Sequence, residues 1–186
     1  YHFLLMRSYG PIPIVHHSVP VDAYGEDSYP FRRPIDEVAE FIYKLCDEAI
    51  PHLPDIITET NTELGRITTV IARCVKVQAA MLVASPLFNG NTDYAGFDNG
   101  KGEQLVSQEY SAKKWETAAK YCLEAIQAAE EQQFVLYRFR PTFFQYQISD
   151  DIRTQLDIRC SFTEDCNSEV LWPQTNSIVK DMQQYC

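Results

Sequence analysis

One stretch limits what this chain can fold into more than any other. It runs from Thr62 to Gly90 and reads TELGRITTVIARCVKVQAAMLVASPLFNG. Ile67, Val70, Ile71, Cys74, Val77, Ala80, Met81, Ala84 and Ser85 recur mostly at three- and four-residue steps, which sets them on one broad helical stripe. Arg73, Lys76 and Gln78 form a thin polar face opposite, so the spacing predicts a helix that is buried on most sides. Ala79, Ala80 and Ala84 carry so little bulk that a neighbouring helix can approach closely. Gly65 ends what precedes this helix, Pro86 closes it, and Asn89-Gly90-Asn91 turns the chain into a loop.

The flanking segments repeat the theme. From Pro34 to Leu53 the residues Ile35, Val38, Ala39, Ile42, Leu45, Cys46, Ala49, Ile50 and Leu53 make a continuous stripe. Pro34 suits the first helical position, Asp36 and Glu37 complement the helix dipole, and Pro51 and Pro54 perturb and end the last turn. With 55–63 as linker, this helix and the central one form an antiparallel hairpin of the tetratricopeptide sort. A third helix follows Ser111, with a stripe of Trp115, Ala118, Ala119, Cys122, Ile126 and Ala129, and ends near Gln133. Trp115 is expected in the core. Phe3 to Arg7 reads as a helix end stopped by Gly10-Pro11, and the proline-rich 11–33 reads as extended loop. From Phe134 the chain turns aromatic and irregular: Phe143-Phe144-Gln145-Tyr146 is expected as a short helix and Val170-Leu171-Trp172 as a brief strand. The fold class is therefore mainly α, tetratricopeptide-like helical hairpins over 34–133, with long irregular loops and minor β in 134–186.

Composition excludes several partners. The formal net charge of -10 repels phosphate backbones, and the sixteen Lys and Arg form no dense run, so nucleic acid is not expected. No segment approaches the roughly 18 apolar residues of a membrane helix. Cys46, Cys74 and Cys122 fall on helical stripes and read as free, buried thiols; Cys160 and Cys166 bracket a short loop and can pair only in an oxidising compartment.

Little here points to bond-making chemistry. His16-His17, with His2 or His52, lacks any H-E-x-x-H or C-x-x-C companion, and adjacent histidines in an extended chain face opposite ways. Asn89, Asn91, Asp93, Asp98 and Asn99 offer the oxygens that calcium prefers, yet their spacing departs from the EF-hand and such clusters more often make turns, so no cofactor is expected. Ser85 has no G-x-S-x-G elbow and the helical cysteines are buried, which removes the usual nucleophiles. Aromatic residues beside amides and acids are the better lead, because sugar rings stack their C–H faces on aromatic rings while their hydroxyls need planar polar partners. Two stretches qualify: Trp172 with Gln174, Thr175 and Asn176, and Tyr94 with Phe97 beside Asp93.

Five motifs in register resemble one family. Gly65-Arg66-Ile67-Thr68, opening a helix that ends Ala84-Ser85-Pro86-Leu87-Phe88-Asn89, resembles the SusD/RagB family of Bacteroidetes surface nutrient-binding lipoproteins. Tyr9-Gly10-Pro11-Ile12-Pro13-Ile14-Val15 looks like its "yGdvPlv" turn. Arg33-Pro34-Ile35-Asp36-Glu37-Val38 with Leu53-Pro54 looks like its next helix, and Trp115-Glu116-Thr117-Ala118-Ala119 like the one after. Asn167-Ser168-Glu169-Val170-Leu171-Trp172 looks like its "NsEiiw" strand. The resemblance implies an internal fragment of a longer, non-catalytic protein, lipid-anchored to the outer membrane through a preceding N-terminal segment. Such a protein captures an oligosaccharide or other nutrient and passes it to a SusC-like TonB-dependent transporter. The rivals are a helical-repeat scaffold with no sugar site, a peptide-binding RagB-like protein, and a hydrolase subdomain with two converging carboxylates.

Overall fold

The computed structural model describes residues 1–25, 29–140, 148–164 and 167–173. The fold is mainly α. Among the described residues the helices are α1 (His2–Tyr9), α2 (Ile35–Ala49), α3 (Thr60–Glu63), α4 (Thr69–Ala84), α5 (Ala112–Glu131) and α6 (Asp150–Thr163), and the β structure is one isolated antiparallel bridge between Asp98 and Gln104. The chain forms two compact units, one of 1–53 with 72–125, the other of 54–71 with 126–186.

The first unit is built on α2. Its buried face is Ile35, Val38, Ala39, Ile42 and Tyr43, and each large aliphatic side chain so covered contributes about 1.5–3 kcal/mol. Pro34 occupies the N-cap, one position before the expected helical start, and the Ile35 N–H donates to the Leu105 carbonyl at 2.9 Å. Pro51 converts the end of the helix into a 3-10 turn, Ile50–His52.

Against this face lie Ala79, Ala80, Val83 and Ala84 of α4. Asp47, late in α2, grips Lys76 in the middle of α4, while Ala39 shares a cavity wall with Ala80 and Val83, so the two helices run antiparallel. Helix α5 runs parallel to α2: Lys114 reaches Asp36, and one turn-pair further on Tyr121 meets Tyr43 edge-on with ring centroids 5.2 Å apart.

The expected stripes are rotated. In α4, Met81 is 47% exposed and Lys76, assigned to the polar face, is 6% exposed. In α5, Trp115 is 41% exposed rather than in the core, and Ala118 and Ala125 are the buried positions. Cys46, Cys74 and Cys122 are free and only half-buried. Gln133, with φ 64, ends α5, and the Phe134 N–H returns to the Ala129 carbonyl at 3.0 Å.

The second unit departs further from expectation. The region 134–186 contains the fourteen-residue helix α6, whose start is capped by Ser149 accepting from the Ile152 N–H. Val170-Leu171-Trp172 is not a strand. Asn167 instead closes α6, donating through Nδ2 to the Ser161 and Glu164 carbonyls at 2.8 and 3.0 Å, and the Val170 N–H turns back to the Asn167 carbonyl. The expected helix at Phe143-Phe144-Gln145-Tyr146 and the Cys166 end of the possible disulfide lie outside the described residues.

Candidate functional site

The Gly65-Arg66-Ile67-Thr68 motif is a lock at the start of α4. Gly65 adopts φ 90, where a side chain is strained, and Arg66 folds back onto Glu63 at 2.7 Å. Thr68 Oγ1 accepts from the Ile71 N–H, and Thr69 donates its hydroxyl to Asp55 at 2.9 Å and its N–H to the Pro54 carbonyl at 3.0 Å. The free Gly65 carbonyl accepts the indole Nε1–H of Trp172 at 2.8 Å. Two motifs 107 positions apart thus meet in one hydrogen bond. Trp172 remains 53% exposed. Its only donor is used internally, so what it offers outward is ring face. Asn176, its expected polar companion, lies outside the described residues, as do Gln174 and Thr175.

The second candidate, Tyr94 with Phe97, belongs to the first unit. Asn89 is the clasp of the loop that carries it. This residue is 5% exposed, donates through Nδ2 to the Ala84 and Ser111 carbonyls at 3.2 and 3.0 Å, and accepts the Ser111 N–H at 2.8 Å. The two ends of the loop are thereby tied together. Phe88, buried beside it, stacks on Tyr94 with centroids 6.0 Å apart, and Tyr94 meets Phe97 at 5.8 Å. Both rings are half-buried against the core and anchor the loop from within. Asp93 is exposed, its N–H capped by Asn91 Oδ1 at 3.0 Å. Asn99 and Asp98 spend their oxygens on backbone N–H groups of the same turn, Lys101 and Glu103 on one and Gly100 on the other.

Titratable groups follow their surroundings. Burial, then the neighbouring Glu40, pushes the Tyr43 phenol far up, and burial raises the Cys46 and Cys74 thiols, away from the thiolate a nucleophile needs. His2 and His16 both lie edge-on to Phe41, at 5.0 and 5.2 Å. Among the described residues no group of three or more His, Cys, Asp or Glu is placed to hold a metal ion, and no helix is long and apolar enough to cross a membrane. A cavity of about 220 Å³ between α2, α4 and α5 is lined by Tyr43 and by both signs of charge, Asp36 and Glu40 with Lys113 and Lys114. There Lys114 Nζ comes within 2.6 Å of Asp36 Oδ1 without hydrogen-bond alignment.

No family model and no curated protein matches the chain. Among solved structures it is similar to the Bacteroides protein BT4246, at 30% identity and TM-score 0.72 over 95% of this chain and 33% of that one. Selenomethionine BT4246 is similar at 29% identity and TM-score 0.65, over 95% and 32%. The chain spans about a third of the length of the solved chains it matches.

Proposed function

We propose that this chain is the helical core of a SusD/RagB-like nutrient-capture protein. In this reading it is a surface lipoprotein of the outer membrane, binds an oligosaccharide without breaking a bond, and hands it to a SusC-like TonB-dependent transporter. The observation that carries it is Trp172: an indole with its N–H committed to Gly65 and 53% of its surface open is a fixed apolar plate, the feature a sugar ring requires. Rigidity matters because a ring already held in place loses little freedom when ligand stacks on it. Similarity to BT4246 across 95% of the chain gives the helical frame a precedent in a Bacteroides protein.

Calorimetric titration of the protein against a panel of plant, host and microbial oligosaccharides tests the reading, with product analysis after prolonged incubation. Trp172→Ala is expected to lose binding roughly tenfold or more, as removal of a stacking plate worth ~1.5 kcal/mol requires, while Trp172→Phe retains part of it. Heat from no glycan sinks the sugar reading and leaves a protein-binding scaffold or a peptide ligand, and a glycan that binds Trp172→Ala with unchanged affinity removes Trp172 from the site. Cleaved product sinks the non-catalytic one.

A further inference from the structure

The first unit carries an open groove whose lining does not include Trp172. Leu5 and Tyr9 of α1 line it together with Pro11, Ile12, Pro13, Val15, Pro30 and Arg32, around about 340 Å³. Its walls are stiff before any ligand arrives. Gly10 turns the chain at φ 70, returning its N–H to the Met6 carbonyl at 2.8 Å. The prolines fix their own φ. The Arg33 N–H donates to the Ile12 carbonyl at 3.0 Å, which ties the two loop segments together. Leu5 (45%), Val15 (41%) and Tyr9 (68%) leave apolar surface open along it.

One charge stands at its edge. Arg32 has no carboxylate partner among the described residues; its guanidinium lies 6.0 Å from the centroid of Phe97, whose ring props it by a cation–π contact. A ring contact takes up none of the guanidinium's N–H donors in hydrogen bonds, and a guanidinium fork suits a planar anion. The adjacent Arg33 is already engaged by Glu37 and Glu103. In a chain of net charge -10 a guanidinium with no carboxylate partner among the described residues, set beside an apolar groove, selects by complementarity.

The geometry points to a binding site for a small amphiphilic acid: an apolar body along Leu5, Tyr9, Pro13 and Val15, and one carboxylate paired in-plane with Arg32.

The test is NMR titration of the protein with 4-phenylbutyrate, 4-phenylbutyramide, acetate and N-acetyl-leucyl-leucine. Saturable shifts are expected at Leu5, Tyr9 and Val15 with the phenyl acid. The amide and acetate should each bind roughly tenfold or more weakly, since one lacks the charge and the other the body. Arg32→Ala should lower affinity for the acid to that of the amide, Arg32→Lys should restore part of it, and Leu5→Gln should weaken acid and amide alike. Equal binding of acid and amide, an unaffected Arg32→Ala, or shifts elsewhere overturns the proposal. A tenfold preference for the dipeptide overturns the small-acid assignment in favour of a peptide end. Trp172→Ala should leave all these shifts unchanged, so failure here and failure of the glycan reading are separate results.

Discussion

Replacing Asn89 by Ala tests whether one amide fixes the loop from Gly90 to Tyr110. The side chain makes three hydrogen bonds while 5% exposed, so no water stands ready to replace it. Truncation removes the side-chain partners of the Ala84 carbonyl and the Ser111 N–H. The Ser111 carbonyl keeps the Lys114 N–H at 3.3 Å. Each buried group left unsatisfied costs about 1–3 kcal/mol, and partial relaxation at the exposed loop side brings the two together to roughly 3 kcal/mol. For a chain of this size that is a fall in melting temperature of roughly 6–12 °C. The sharper assay is amide exchange: the Ser111 N–H should exchange roughly a hundredfold faster, with amides in the middle of α2 less affected. If Asn89→Ala costs less than about 0.5 kcal/mol and the Ser111 amide keeps its protection, the loop is held by Phe88, Leu105 and Val106 alone and the clasp is incidental.

Other perturbations separate causes in the same way. Asp47→Ala leaves the Lys76 ammonium, 8% exposed in its side chain, with the Tyr121 ring at 3.9 Å as its remaining partner among the described residues, and should cost about 1–3 kcal/mol; Lys76→Met should cost less than about 1 kcal/mol, both read by urea denaturation. Gly90→Ala puts a methyl 2.9 Å from the Tyr110 backbone at φ 75 and should destabilise by about 2–4 kcal/mol in the same assay. The Phe139 N–H at 2.6 Å, then Arg138, holds the Asp157 carboxyl below its ordinary value. A depressed folded value means the contribution is present above the unfolded pKa near 4 and lost as pH falls through the folded one, so acid should lower the protection of the Phe139 N–H, measured against its intrinsic exchange rate at each pH, before that of other amides, and Asp157→Asn should abolish that pH dependence. Ala80→Leu, forcing a larger side chain between α2 and α4, should cost about 1–3 kcal/mol, whereas Met81→Lys next to it should change stability by less than about 0.5 kcal/mol.

Helices α2, α4 and α5 were legible because a 3.6-residue period needs no tertiary information, and Pro86 and Gln133 end theirs within two or three residues of the reading. Helix α6 was not, because it has no buried residue and hence no apolar stripe to find. The signal that could have found it is local: Ser149 before Asp150 and Asp151 is a cap with two acids in the first turn. Val170-Leu171-Trp172 was misread for the opposite reason. Its residues favour strands, but Asn167 claims the preceding backbone as the end of α6, and a strand also needs a neighbour to pair with. The Trp172 to Gly65 bond was beyond sequence altogether, since nothing in either stretch names the other.

The rotated stripes of α4 and α5 have one explanation. Counting hydrophobicity assigns Met81 and Trp115 inward and Lys76 outward, because each residue is weighed singly against water. A close helix pair weighs volume instead: between α2 and α4 the space is filled by Ala79, Ala80, Val83 and Ala84, all at most 4% exposed, and a methionine there would hold the backbones apart. Lys76 fits because it is long rather than because it is polar. Its stem covers apolar surface, its ammonium lies over Tyr121, and both Asp47 oxygens receive it at 2.7 and 2.9 Å. Lys76, three residues before Ala79, adds a polar tether between the same two helices. At that spacing the alanine run and the buried lysine lie on one face of one helix.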